Sequence, residues 1–452
     1  MSPRRVNLVA TAALVVSSAC TSTRASTSEI VHFDTVPPTT APAPTTRATS
    51  TPVATTSTTE VGVTDPTLAA RGPVALPAFD AVVESFLRAK GALGASVAIA
   101  KGGRLMYVRA YGARSRITDD PVTVSSRFDL ASVSKVFAAA AVMRLVDAGR
   151  LHLDDKLLAV VGDRLTLPAG YDPRLADTTI GQLLGHTSGV RENPPMGPVG
   201  SASCIDTITH ALSRPFSVSP GTFLYSNVNY CLLGVVLEAV LHVPWETAVH
   251  QLVLDPAGAP AIQLAHTGMV GPNDVDHRSG LGPTGDNPTY LEALGPGAQW
   301  AGTAADVVRV LDALDPNRAG GADLLSPGAL AAMTARPSAA MPSLDIDSGA
   351  IDGAPAAGEG PPASADTPTT AVPAGRWYGL GLMTWDGGAS WGHSGSLPMA
   401  RNLAIHEADG TTWCILVYGS FDDHADALLR TMHSAMATVI DWPGGDLGPA
   451  VP

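Results

Sequence analysis

Residues 128–147 read FDLASVSKVFAAAAVMRLVD, and this stretch decides the expectation for the whole chain. From residue 132 to residue 148 it is apolar on nearly every side, which predicts a helix buried in a core. Gly149 follows, and glycine is well suited to end a helix. Near the helix start, Ser132 and Lys135 are three residues apart, so both side chains leave the same face. A serine hydroxyl is inert at neutral pH, and an amine beside it can activate it as a nucleophile.

Two further short motifs follow in the chain. Residues 225–227 read YSN, and residues 393–395 read HSG between two predicted strands. The segments around the motifs are also distinctive: residues 183–189 read LLGHTSG, and residues 391–396 read WGHSGS. A four-residue pattern alone has little specificity, whereas three motifs in a fixed order with flanking segments are specific.

Ser-x-x-Lys, Tyr-x-Asn and His-x-Gly in this order resemble the serine β-lactamase and penicillin-recognising hydrolase family. The resemblance covers residues 76–440. The most similar branches are class C β-lactamases, D-alanyl-D-alanine carboxypeptidases and β-lactamase-like esterases. The resemblance implies an α/β (α+β) fold, in which an antiparallel sheet flanked by terminal helices carries an inserted all-α subdomain. It also places the active site in the cleft between these two parts.

The strand and helix patterns of the chain agree with that architecture. Strand patterns occur near both ends of the domain, and helical patterns lie between them. The predicted strands are 96–100 and 105–110, joined by Gly102-Gly103, then 377–385, 389–396 and two runs flanking Asp409-Gly410. The predicted helices include 79–90, 132–148, 228–240, 304–314 and 423–440. The sequence therefore predicts one sheet that the C-terminal strands complete.

The resemblance implies a role for each polar residue of the first two motifs. Ser132 would attack a carbonyl carbon, and burial would lower the pKa of the Lys135 amine beside it. Tyr225 would accept the serine proton as a phenolate, or relay the proton between Lys135 and the leaving group. Asn227 would hold Lys135 or bind the substrate. The sequence leaves open whether Tyr225 or Lys135 is the general base.

The third motif would form a strand that lines the site and binds substrate through residues His393, Ser394, Gly395 and Ser396. A glycine lets substrate approach the backbone closely. The backbone N–H groups of Ser132 and Ser396 would form the oxyanion hole. His393 stands where many relatives have lysine, and a neutral histidine would grip a substrate carboxylate weakly or only at low pH.

Other chemistry is not indicated. The other histidines lack metal-ligand spacing, and His186 lies in a segment that resembles a structural loop of the family. No Gly-x-Ser-x-Gly, P-loop or dinucleotide motif is present, so neither a metal nor another cofactor is expected. The net charge of −13, without a Lys- or Arg-rich run, argues against nucleic-acid binding.

The N-terminus has the pattern of an export signal. After a positively charged start, residues 8–16 are apolar, and small residues at 17–19 precede Cys20. The apolar run is too short to span a membrane as a mature helix. Small residues before a cysteine are typical of bacterial lipoproteins. Residues 1–20 are therefore predicted to be a signal segment in which cleavage leaves Cys20 as the lipidated N-terminus. Ser17 stands where such signals have an aliphatic residue, so a plain secretory signal remains the alternative.

Two low-complexity segments are expected to be disordered. Residues 21–75 are rich in Ser, Thr and Pro, and residues 336–374 are a Pro-, Ala- and Gly-rich insertion in the domain. Such segments bury too little apolar surface to offset their ordering entropy. The first would tether the domain to a membrane, or would be a spare tail. Residues 441–452 are expected to be a tail.

The cysteines predict one disulfide. The chain has four cysteines, and if Cys20 is lipidated only one pair can form. Cys204 and Cys231 stand at apparent helix starts that bracket the loop before residue 225, whereas Cys414 lies in a buried strand pattern. A Cys204–Cys231 bond would stabilise the fold by about 3 kcal/mol.

These features predict an exported serine hydrolase that acts through an acyl-enzyme on an amide or ester. A D-alanyl-D-alanine carboxypeptidase acting on peptidoglycan peptides is the leading interpretation. β-Lactamase and esterase activities on small molecules remain open, because the fold and the catalytic residues do not fix the acyl group. Residues 398–400 (PMA) also depart from the Pro-Gly-aromatic pattern of relatives, so the substrate preference of relatives need not apply. The alternative from another class is a non-enzymatic cell-envelope lipoprotein that binds or scaffolds. Oligomeric state is left open.

Overall fold

The computed structural model describes residues 68–190, 203–277, 290–318, 323–337 and 375–448. The predicted signal peptide with Cys20, most of the 21–75 segment and nearly all of the 336–374 insertion lie outside these ranges. The helices in the described part are α1 Pro77–Ala89, α2 Ser134–Asp147, α3 Leu157–Val161, α4 Ile180–Leu184, α5 Cys204–Leu212, α6 Asn227–Leu241, α7 Trp245–Val249, α8 Asp255–Ala257, α9 Tyr290–Leu294, α10 Ala304–Leu314, α11 Pro327–Thr334 and α12 His424–Met436.

The strands of the described part form two sheets. They are β1 Gly94–Lys101, β2 Arg104–Gly112, β3 Phe128–Asp129, β4 Gln263–Leu264, β5 Trp300–Gly302, β6 Trp377–Tyr378, β7 Met383–Trp385, β8 Ser390–Leu397, β9 Ala400–His406 and β10 Thr411–Tyr418. The larger sheet has the order β2-β1-β10-β9-β8-β7-β6, and its neighbours are antiparallel. The N-terminal strand pair thus joins the C-terminal strands through β10, which confirms the predicted sheet.

Two tight turns form because glycine adopts positive φ at low cost. Gly102 and Gly103, with φ of +58° and +78°, connect β1 to β2. Gly410, with φ of +78°, turns the chain between β9 and β10. Both turns lie where the sequence predicted hairpins.

Both faces of the larger sheet are covered. Successive side chains of a strand point to opposite faces, and β1 shows the result. Val97 and Ile99 pack with buried residues of α1 and α12, whereas Ala98 and Ala100 pack in the cluster that contains α2, α6 and α10. The terminal helices therefore cover one face, and the helical part of the chain covers the other.

The inserted part, predicted to be all-α, is mainly helical and also contains a small sheet that the sequence did not indicate. This sheet has the order β3-β5-β4, and it pairs Phe128 with Gly302 and Leu264 with Trp300. Strands of two or three residues are too short to show an alternating pattern in the sequence. The small sheet matters because β3 leads directly into the segment that carries Ser132.

Membrane-spanning character is weak in the described residues. None of their helices is by itself long and apolar enough to cross a bilayer. Helix Asn227–Leu241 reaches the necessary length and apolar composition only when it is taken together with Trp245–Ala257. The axes of these two segments form an angle of 78° at the break between them.

The packed region extends beyond both predicted boundaries of 76 and 440. At the N-terminal side Leu68 is already buried, and Arg71 exchanges two backbone hydrogen bonds of 2.8 Å with Ala110 of β2. At the C-terminal side the backbone N–H of Leu447 donates to the Leu105 carbonyl at 2.8 Å. Residues 68–75 and 441–448 therefore belong to the domain, because they satisfy backbone groups on the exposed edge of β2.

We expect truncation after Asp441 to destabilise the domain by about 3 kcal/mol, since it removes hydrogen bonds to Leu105 and the packing of Trp442 on Phe79. Urea denaturation measures the change. A chain that ends at Gly448 is the matched control and should match the full chain. Equal stability of the two truncated chains would show that the C-terminal segment contributes nothing.

The predicted disulfide is present between Cys204 and Cys231, whose Cα atoms are 5.4 Å apart. Cys204 begins α5 as predicted. Cys231 instead lies in the second turn of α6, because that helix begins at Asn227. Cys414 is a buried free thiol.

Candidate active site

Ser132 lies in the short 3₁₀ turn Ala131–Val133, which connects β3 to α2. The residue before it, Ala131, is fully buried and has a φ of +51°, a conformation that a non-glycine residue rarely adopts. The backbone N–H of Leu130 donates to the Trp300 carbonyl at 2.8 Å and fastens the segment to the small sheet. Surrounding structure therefore holds Ser132 in a strained turn, as is common for functional residues.

Lys135 lies directly behind Ser132, and its side chain is completely buried. Its Nζ is 3.0 Å from Ser132 Oγ, 2.6 Å from Asn227 Oδ1 and 2.9 Å from the carbonyl oxygen of Gly297. The first motif and the asparagine of the second motif thus meet around one amine. Gly297 was not singled out in the sequence, because only the tertiary fold brings its carbonyl to the lysine.

Aromatic rings surround the rest of the amine. Lys135 Nζ lies 4.9 Å from the ring centroid of Tyr225 and 5.4 Å from that of Tyr230. Ring faces attract an amine nitrogen and its N–H groups, so both contacts help to fix the position of Nζ beside Ser132. Tyr225 is also packed against the ring of His186, with 4.3 Å between centroids.

His186 has contacts that suit packing. Its Nδ1 accepts a hydrogen bond of 3.2 Å from the backbone N–H of Ser226 and lies 3.2 Å from Asn229 Nδ2. Complete burial, reinforced by the charge of Lys135, holds the pKa of His186 well below its usual range. The ring is therefore neutral, and it supports Tyr225 from behind.

His393 of the third motif is buried and neutral. Its Nδ1 donates to the Ser394 carbonyl at 2.6 Å, which leaves Nε2 to accept a hydrogen bond of 3.1 Å from Tyr378 Oη. Burial, together with the charge of Lys135, lowers the pKa of His393 to about 3. Tyr378 was missed in the sequence because nothing local indicates its contact with His393.

The strand that carries the third motif lies against the nucleophile turn. A Cβ added at Gly395 would lie only 2.4 Å from the carbonyl oxygen of Leu130, so this position requires glycine. The same Cβ would lie 3.2 Å from Ala131 Cβ, so the strand at Gly395 packs against the two residues that precede Ser132. The Ser394 hydroxyl is buried and donates to Met383 Sδ at 3.6 Å, within the sheet.

One edge of β8 is open where it passes the nucleophile. β9 pairs with β8 from Trp391 to Leu397, whereas β7 pairs with it only from Ser390 to Gly392. In the described part of the chain, residues 393–397 therefore have a strand partner on one side only. Such an edge offers backbone groups to an extended ligand.

In the described ranges, no group of three or more His, Cys, Asp or Glu side chains is arranged to hold a metal ion. The polar groups around Ser132 are an amine, an amide, a phenol ring and backbone carbonyls. This set fits nucleophilic and acid–base chemistry.

Comparison with known proteins agrees with the motifs. The sequence profile described as Beta-lactamase matches residues 79–430, which is most of the chain. The chain belongs to the Beta-lactamase family. The matched region includes all three motifs and both disulfide cysteines.

Two curated relatives are similar over about half of the chain. Esterase EstB of Burkholderia gladioli is 32% identical over 214 residues, which are 43% of this chain and 53% of the esterase. Penicillin-binding protein 4 of Amycolatopsis lactamdurans is 32% identical over 230 residues, 48% of this chain and 58% of that protein. The chain thus aligns with little more than half the length of these relatives.

Solved structures share the fold of this Beta-lactamase family member. SurE with D-Leu has a TM-score of 0.59 at 24% identity, covering 81% of this chain and 76% of SurE. A D-stereospecific amidohydrolase from Streptomyces has a TM-score of 0.59 at 21% identity, with coverages of 79% and 98%. The octameric penicillin-binding protein homologue from Pyrococcus abyssi has a TM-score of 0.59 at 19% identity, covering 81% and 78%. At these identities the likeness concerns the fold.

Proposed function

We propose that the protein is a serine hydrolase that forms an acyl-enzyme at Ser132. The observation that carries the proposal is the arrangement around Lys135 Nζ. Asn227 Oδ1 and the Gly297 carbonyl are hydrogen-bond acceptors, so they take two N–H groups of the amine. In the neutral amine, the remaining lone pair then faces Ser132 Oγ at 3.0 Å. This is the geometry that a general base needs.

The reaction would proceed in two steps. Lys135 takes the proton of Ser132 while Oγ forms a bond to the carbonyl carbon. The bond to the leaving group then breaks, and the leaving group receives a proton through Tyr225, whose ring contacts the lysine. Water next attacks the acyl-enzyme by the reverse proton transfers and releases the acid. Asn227 Oδ1 and the Gly297 carbonyl hold Lys135 Nζ in its orientation toward Ser132 Oγ during both steps.

The developing oxyanion needs donors near Ser132. We propose the backbone N–H groups of Ser132 and Ser396 for this role. The close approach of Gly395 to Leu130 supports it, because it brings the strand beside the nucleophile turn.

The neutral state of His393 points to the substrate class. A lysine at this position would present a fixed positive charge to a substrate carboxylate, and buried neutral His393 does not. We therefore propose that the preferred substrate is an ester or an amide whose leaving group carries no carboxylate. The D-alanyl-D-alanine carboxypeptidase activity expected from the motifs is the second candidate, and the open edge of β8 at residues 393–397 favours it by accepting an extended peptide.

A substrate panel tests both candidates on the purified protein. It comprises p-nitrophenyl esters, D-amino acid amides, a D-Ala-D-Ala peptide and nitrocefin, each read as kcat/KM. The first candidate requires the esters or amides to exceed the peptide at neutral pH. Rapid turnover of the peptide alone would favour the carboxypeptidase. Inertness toward all four would favour the scaffolding role.

His393→Lys should shift this preference. The new ammonium would attract a carboxylate, so the ratio of kcat/KM for the D-Ala-D-Ala peptide to that for the ester should rise at least about tenfold. His393→Gln is the matched control, because it can replace both hydrogen bonds without a charge, and its ratio should resemble that of the wild type. A folded His393→Lys protein with an unchanged ratio would refute the argument from charge.

We further propose that the protein is exported and acts at the cell envelope. The support is the sequence pattern of residues 1–20, with Cys20 as the acceptor of a lipid anchor and the following Ser/Thr/Pro-rich segment as the tether. Mass spectrometry of the N-terminus of the mature protein tests lipidation. A free, unmodified residue after the cleavage site would indicate secretion without an anchor.

A further inference from the structure

The disulfide lies directly behind the groups that hold the catalytic lysine. Cys231 follows Asn227 in α6 by four residues, about one helical turn, so the two occupy the same side of the helix. The Cys231 sulfur lies 3.6 Å from the carbonyl oxygen of Ala293. A Cβ added at Gly295 would be only 2.5 Å from the Cys204 sulfur. Both sulfurs therefore press against residues 293–295.

That segment continues directly to the lysine. Two residues after Gly295, the Gly297 carbonyl accepts the hydrogen bond of 2.9 Å from Lys135. Helix α5 makes a second contact with the same segment, because Thr207 Oγ1 donates a hydrogen bond of 2.9 Å to the Ala293 carbonyl. The turn at residues 293–297 is tightly packed. Gly295 has a φ of +45°, and Cys204 Sγ occupies the space where a side chain at this position would lie.

We infer that the Cys204–Cys231 disulfide positions the catalytic lysine, by fastening α5 to α6 against residues 293–297 so that the Gly297 carbonyl and Asn227 Oδ1 converge on Lys135 Nζ. The inference rests on the proposed acyl-enzyme function and names a residue pair that acts on the lysine through these two acceptors. Without the bond, α5 and the 293–297 turn can move away from α6. The lysine then loses its fixed orientation toward Ser132, and small misplacements of catalytic groups cost rate steeply.

The test compares the wild type with the double variant Cys204→Ala/Cys231→Ala, using the burst of p-nitrophenol release from p-nitrophenyl butyrate. The acylation rate constant at saturating ester should fall about tenfold, while the ester concentration for half-saturation should change less than twofold. The matched control is Val83→Ala, which removes buried methyl groups of α1 on the other side of the sheet. It lowers stability without touching the disulfide and should keep the wild-type rate constant.

Two further measurements keep the inference testable if the double variant does not fold. Tris(2-carboxyethyl)phosphine supplies two electrons that convert the disulfide into two thiols and is itself oxidised to the phosphine oxide. Reduced wild type should lose rate like the double variant and recover it on reoxidation. Thr207→Val keeps the disulfide but removes the hydrogen bond to the Ala293 carbonyl. Its acylation rate constant should therefore fall by a smaller factor, again with little change in the ester concentration for half-saturation.

The outcomes separate the two proposals. An oxidised wild type that is acylated, with reduced and disulfide-free proteins within twofold of its rate constant, overturns the inference and leaves the hydrolase intact. An oxidised wild type that is never acylated overturns the proposed function and the inference together.

Discussion

A fluorophosphonate probe should label the wild-type protein at Ser132, and Ser132→Ala should abolish the labelling. The serine Oγ displaces fluoride from phosphorus, and the lysine 3.0 Å away accepts its proton. Lys135→Ala should therefore slow labelling at least about a hundredfold, the usual contribution of acid–base assistance. Peptide mass spectrometry locates the label, and time courses give the rates. Ser134→Ala is the matched control, because it removes the other serine of the motif and should still label at Ser132.

The same set of variants distinguishes the base from the leaving-group acid. A p-nitrophenolate leaves without a proton, whereas an amine from an amide needs one. Lys135→Ala should slow both substrates, and Tyr225→Phe should slow the amide at least about tenfold more than the ester. Thermal unfolding must first show that each variant is folded, since Lys135 is buried. Equal losses on both substrates in Tyr225→Phe would assign the tyrosine to the first proton transfer. A folded wild type that resists the probe would remove the basis for the hydrolase.

The second large effect is loss of stability in mild acid. Burial lowers the pKa of His393 to about 3 and that of His424 to about 4, and it holds that of His186 well below its usual range. In the unfolded chain each of these histidines titrates near pH 6.5. Between about pH 6.5 and pH 4 the unfolded state therefore binds more protons than the native state. Stability falls with falling pH in this window, by about 1.4 kcal/mol per pH unit for each histidine.

Buried carboxyl groups oppose this effect in part. Burial raises the pKa of Asp306 and of Asp312, so these groups take up protons more readily in the native state than in the unfolded chain. We therefore expect a net loss of about 2 to 4 kcal/mol per pH unit below pH 6, which would unfold a domain of ordinary stability near pH 4.

Urea denaturation at pH 7, 6 and 5 measures this slope. His393→Gln removes one titrating group while keeping an acceptor for Tyr378, so its slope should be shallower by about one proton. His152→Gln is the matched control, because it removes an exposed histidine and leaves the buried ones in place. A wild-type stability that is flat between pH 7 and pH 5 would show that the buried histidines are protonated in the folded protein.

The sequence by itself determined the parts of this protein that depend on local periodicity. The apolar run after Ser132 predicted α2, and the three-residue spacing placed Lys135 on the same face, where its Nζ meets Ser132 Oγ. Two glycine-containing turns predicted the hairpins around β1–β2 and β9–β10. These features follow from the helical repeat, the strand repeat and the freedom of glycine, and each is contained within about twenty residues.

The sequence was less informative where contacts join distant segments. It placed the domain ends at 76 and 440 and so missed two packed segments, which contain Leu68 and Leu447. These segments are short, and they pair with β2, which is distant from at least the second of them in the chain. From the sequence, Gly395 was predicted to let substrate approach the backbone closely. In the structure, glycine is also required there because strand β8 lies directly against the Leu130 carbonyl. Backbone pairing and close approach between remote segments leave no periodic signal in either segment.

The tertiary structure alone decided the chemical state of the site. His393 is neutral because burial and the charge of Lys135 lower its pKa, and nothing near residue 393 in the chain shows that burial. The Gly297 carbonyl completes the environment of Lys135 from 162 residues away. A motif fixes which groups are available, but their pKa values and orientations depend on desolvation and on partners that only folding brings together.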